Sequence, residues 1–179
     1  MIERIRECMI NEEWVCIYEG NEHESFIFGM IVDMDDQYYT IHRFTPNGED
    51  DGLLMMDIES VFRIEIDTKY IQKMRKLIDT DGICGFHFVK APDASEGSSC
   101  SMRLLELAVK EDRVVGIELS QSEITDIFGR IQCIGENTLT VRQINDYGEA
   151  DGVTVCFLDD ITELSVGSES DKIREKLTR

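Results

Sequence analysis

The chain has 179 residues and carries 37 acidic against 18 basic side chains, a net charge of −19 that repels phosphate backbones and argues against nucleic acid as a ligand, since no local basic patch is visible. Hydrophobic residues make up 42%, enough for a packed core, yet no apolar run is long enough to cross a membrane. Six cysteines without a CxxC pair, and a start that is charged and amphipathic rather than leader-like, point to a reducing, cytoplasmic setting.

In chain order, Ile2, Ile5, Met9 and Ile10 recur at helical spacing with charges between them, which predicts a short amphipathic helix over 2–11. Alternation predicts a strand from Trp14 to Glu19 and a longer one from Phe26 to Met34 with Gly29 inside it. Asp35-Asp36 signals a turn, Tyr38 to Phe44 a third strand, and Gly48 to Gly52 a polar hairpin loop. Strands over Leu53–Asp57 and Val61–Ile66 follow, then a helix from Tyr70 to Ile78 with Thr68 as its cap. Within residues 80–102, Gly82 to Val89 predicts an extra apolar strand and Ala91 to Ser99 a flexible linker. From Met102 the whole series returns: helix to Lys110, strands from Val114, Thr138, Val153 and Ile161 together with a twin of the Phe26–Met34 strand that holds Gly129, and a last helix capped by Ser168.

The return keeps register. Displaced by 100 residues and without a gap, Phe28-Gly29-Met30-Ile31 falls on Phe128-Gly129-Arg130-Ile131. Gly48-Glu49-Asp50-Asp51-Gly52 falls on Gly148-Glu149-Ala150-Asp151-Gly152 in the same frame. This is the mark of an internal duplication. It predicts a first repeat over 1–79, a connector over 80–102 and a second repeat over 103–179. Each repeat has the size of one small core, and both are acidic. The paired glycines Gly29/Gly129, Gly48/Gly148 and Gly52/Gly152 are read as structural: bends in a strand, and hairpin positions with special backbone angles.

A helix, five short strands and a bent second strand resemble the Sm-like small barrels, and SH3-like barrels share the apolar pattern. The first Sm motif runs glycine, alternating apolar positions and aspartate; Gly29, Ile31, Met34, Asp35 and Tyr38 follow it, as do Gly129, Ile131, Ile134 and Thr138 with Gly135 at the aspartate position. The apolar part of the second motif is followed by Gly52, Leu54, Met56, Val61 and Ile64, and by Gly152, Cys156, Ile161 and Leu164. The resemblance implies two tandem five-stranded barrels in a mainly β, α+β chain. It also implies RNA binding as one function. At the positions that serve RNA in the family, however, stand Tyr39 and Leu139 in place of asparagine, and Asp57-Ile58 and Phe157-Leu158 in place of arginine-glycine. Leucine and phenylalanine offer no hydrogen bond to a base, and Asp57 repels phosphate.

No catalytic arrangement is legible. His23, His42 and His87 lack metal-ligand spacing and have no histidine twin in the other repeat, so they are read as surface or structural residues. The carboxylates of the Gly48–Gly52 loop lack the regular spacing and bidentate glutamate of a calcium loop. Cys84 near His87 has no known nucleophile geometry. We therefore expect no metal, no cofactor and no catalysis.

The expected function is binding to another protein through strand edges or the 82–89 segment, with Tyr38, Tyr39, Phe86 and Phe88 as the candidate surface. Trp14 and Phe44 are further aromatic candidates. A fused pair is expected to act as an intramolecular pseudo-dimer, with room for a further homo-oligomer. Nucleic-acid binding of the Sm-like kind and a ligand or enzymatic cleft between the barrels are the alternatives.

Overall fold

The computed structural model describes residues 1–20, 25–78, 98–122 and 125–178. The expected strand over 82–89, with Phe86 and Phe88, and the histidines His23 and His87 lie outside the described residues. The chain divides into two compact units, Met1–Cys100 and Ser101–Arg179. Among the described residues it is mainly β with four short helices, the strand pairings within the units being antiparallel. None of the described helices is long and apolar enough to cross a membrane.

In the first unit α1 (Ile2–Ile10) precedes β1 (Trp14–Glu19), β2 (Ile27–Met34), β3 (Tyr38–Phe44) and β4 (Asp50–Asp57); a single 3-10 turn leads to β5 (Val61–Ile66) and α2 (Lys69–Leu77). Its strands lie in the order β5-β1-β2-β3-β4. The second unit has α3 (Cys100–Lys110, whose first residue falls on the boundary), β6 (Val114–Leu119), β7 (Thr125–Ile134), β8 (Thr138–Ile144), β9 (Ala150–Phe157), β10 (Ile161–Val166) and α4 (Glu169–Leu177). Its order is β10-β6-β7-β8-β9. Among the described residues the outer strands of each unit's order do not pair with each other, so the strands of neither unit close into the hydrogen-bonded barrel that the sequence leads one to expect.

The registers run in parallel. Val15 opposes Gly29 and Gly29 opposes Arg43 in the first unit; Val115 opposes Gly129 and Gly129 opposes Gln143 in the second. Bulges fall at the same places, between Ile31 and Asp33 and between Ile131 and Cys133. The fourth strand begins earlier than Leu53, because the tight turn ends at Gly48 and pairing already resumes at Phe44 opposite Asp50. Gly48 (φ 83°) and Gly148 (φ 77°) take the left-handed conformation that this turn requires.

Gly29 and Gly129 have a different role. A Cβ at Gly29 would lie 2.0 Å from the His42 carbonyl oxygen, and one at Gly129 would lie 2.1 Å from the Arg142 carbonyl oxygen. The backbone of the third strand runs where a side chain would be, so only glycine lets these strands approach.

Both faces of the first sheet are covered. On one face Ile5 and Cys8 of α1 pack with Val15, Ile17, Ile31, Tyr39, Ile41 and Leu54. On the other, Ile71 and Met74 of α2 pack with Cys16, Tyr18, Phe28 and Phe44. The strict alternation of β1 sends Val15 and Ile17 to one core and Cys16 and Tyr18 to the other. Thr68 caps α2 through the Ile71 amide, and Ser168 caps α4 in a reciprocal box with Asp171.

Candidate interaction surface

The structure separates the aromatic residues singled out in the sequence. Tyr39 is fully buried, and its hydroxyl donates to Glu19 Oε1 at 2.6 Å. It therefore fills the core and offers nothing to a partner. Tyr38, the next residue on β3, is half-buried; its hydroxyl accepts from Gln37 Nε2, while its amide donates to Asp35 in the β2–β3 turn. Trp14 stacks on Phe28 at 5.3 Å and meets Phe44 at 5.3 Å, and Tyr70 sits edge-on to Phe28 and Phe26. These rings form the packing under α2.

The groups that carry chemistry are occupied structurally. His42 is buried, with Nε2 2.7 Å from Asp50 Oδ1 and its ring against Phe44. Arg43 pairs with Asp51 at 2.9 Å. The carboxylates of the first hairpin thus hold the hairpin itself, and among the described residues no group of three acidic, histidine or cysteine side chains is placed to hold a metal ion. Cys8, Cys16, Cys100, Cys133 and Cys156 are thiols outside any disulfide. Burial pushes the Cys8 thiol up to about 11 and the Cys16 thiol up to about 12, and it raises Cys156 as well. All three are protonated at neutral pH, the form that does not act as a nucleophile.

The second unit carries a surface that no motif marks. β9 pairs with β8, Thr140 opposing Val155 and Arg142 opposing Val153, and no described strand lies along its other side. Alternate residues of this edge strand point the same way. Val153, Val155 and Phe157 are 56%, 63% and 60% exposed, whereas Cys156 between them is buried. On the matching strand of the first unit, Leu53 and Met55 are 8% and 0% exposed. The same apolar pattern is therefore buried in one unit and open in the other.

Charge frames this strand. Between Gln143 and Asp171 there is no lysine, arginine or histidine. The hairpin ion pairs of the first unit have no counterpart, because His42, Asp50 and Arg43 become Arg142, Ala150 and Gln143. Asp146 is held by Arg174. Asp151 at the start of the strand and Asp159 and Asp160 just past its end form no ion pair among the described residues. The result is an apolar row with free negative charge at both ends.

Alternation makes 153, 155 and 157 legible as one face of a strand, but it does not tell whether that face is covered. The sequence signal for this surface is valine, valine and phenylalanine alternating within a stretch that holds aspartates and no basic residue.

No family model, curated protein or solved structure matches this chain.

Proposed function

We propose that the chain is a non-catalytic protein-interaction module, built from two copies of one Sm-like small β unit that arose by internal duplication. The observation that carries the reading is the exposed row Val153, Val155 and Phe157 on an edge strand without a second neighbour among the described residues. Such a strand presents unpaired backbone donors and acceptors together with an apolar face, which suits strand addition by a partner. The duplication is supported by registers and bulges that coincide at a displacement of 100 residues. The Sm-like reading is supported by the helix and five strands of each unit, with a glycine in the second strand that no side chain can replace without a clash.

The test is affinity capture from native lysate at low salt. Wild-type chain and a Val155→Lys variant are compared, each with and without nuclease. A protein that survives nuclease, and whose recovery falls about ten-fold with the variant, supports the module. This drop corresponds to the loss of one central interface anchor. Equal recovery by both chains overturns the reading, as does material that nuclease removes; the latter outcome points to the RNA-binding alternative.

A further inference from the structure

The β9 edge also specifies the charge of what it binds. We infer that β9 takes an extended segment of another protein in which apolar residues alternate and basic residues flank them, and that a second copy of this chain is not its occupant. This inference rests on the reading above, since it names the partner of the same edge.

A segment added along β9 lies beside Val153, Val155 and Phe157, so its own alternate side chains must be apolar to cover them. Its two ends then lie near Asp151 on one side and near Asp159 and Asp160 on the other. These carboxylates have no cation of their own among the described residues. Arg142, opposite Val153 on β8, lies toward the interior of the sheet and is exposed, but it forms no ion pair among the described residues either. It is one positive charge set against three free aspartates. Acidic flanks on a partner would leave like charges facing each other, whereas lysine or arginine would find complementary ones.

The charge of the whole chain decides against self-association. Each copy carries −19, so two copies meet across a repulsive field at low ionic strength. The strand of the first unit that ends its own order, β5, reads Val61-Phe62-Arg63-Ile64-Glu65-Ile66 and is followed by Asp67, while Glu59 precedes it. It therefore has acidic flanks and is the wrong complement for β9.

The probe is a set of synthetic peptides with one central stretch, valine alternating with threonine, and three kinds of flank: lysine, serine or glutamate. Binding to the full chain is followed by fluorescence anisotropy at low salt and again at high salt. In parallel, sedimentation of the chain alone reads self-association. At low salt the lysine-flanked peptide binds at least about ten-fold more tightly than the glutamate-flanked one, and the gap closes as salt screens the flanks. Val155→Lys abolishes binding of all three peptides. Asp159→Asn with Asp160→Asn removes the preference for lysine while leaving the serine-flanked peptide bound.

Equal or reversed preference among the peptides overturns the inference, and so does failure of all three to bind. Self-association that Val155→Lys disperses also overturns it, because the occupant is then a second copy. The two readings fail separately. If Val155→Lys still loses a lysate partner but the peptides show no preference for lysine, the interaction edge stands and the basic partner falls.

Discussion

At Gly29 the third strand's backbone occupies the volume of a missing side chain, with the His42 carbonyl oxygen 2.0 Å from where a Cβ would be. Backbone cannot swing aside as a flexible side chain can. Gly29→Ala should therefore destabilise the first unit by about 3 kcal/mol, the upper part of the range for overpacking. Gly20→Ala meets no atom within 4 Å and bears only the strain of its positive φ, costing about 1 kcal/mol. Urea unfolding of the two variants checks the order; equal losses would show that β2 relaxes around the new methyl. The buried thiols make a second residue-scale prediction. Burial disfavours the thiolate, so the folded state keeps a proton on Cys16 up to about 12, against an ordinary value of 9.0. Between these values the unfolded chain binds fewer protons, and stability falls as pH rises. Unfolding free energy measured from pH 8 upward should decline above about pH 9. In Cys16→Ala the decline should be shallower, even though the variant starts lower.

At the scale of elements, β4 and β9 share a sequence pattern and differ in surroundings. Met55 is fully buried and Val155 is 63% exposed. Lysine at 55 would place an ammonium group in an apolar interior, and Met55→Lys should cost about 4 kcal/mol. Val155→Lys should change stability by no more than about 0.5 kcal/mol, the range of ordinary surface substitutions. Thermal melts of both variants test this, and the second result also shows that a loss of binding by Val155→Lys is not a loss of fold. The helices and most strands were legible in advance, because their periods of 3.6 and 2 leave marks in the sequence. Trp14–Glu19, Tyr38–Phe44 and Val61–Ile66 fall where alternation places them. The start of β4 was not legible, because Asp50 and Asp51 look like loop residues until their pairing with His42 and Arg43 is seen. Tyr39 was misplaced for a related reason. An aromatic residue on a strand is equally compatible with core and surface, and what decides here is the half-buried acceptor, Glu19, that receives its hydroxyl.

For the molecule as a whole, the two units have matching strand registers and differ in what they present. In the first unit the aromatic residues serve packing and two hairpin carboxylates, Asp50 and Asp51, are held by His42 and Arg43. In the second, Val114, Ile144 and Ser170 replace Trp14, Phe44 and Tyr70, and Phe128 is covered by the Arg174 guanidinium at 3.7 Å. With Gln143 in place of Arg43, Asp151 at the start of β9 is left without the partner that Asp51 has. By itself the sequence determined the period of each element, the register between the halves and the acidity of both, because these are properties of residue order alone. The tertiary structure alone decided which of two like apolar strands is covered, which tyrosine lies inside and which aspartates lack a cation. Each of those depends on neighbours distant in the chain, and local pattern carries no record of them.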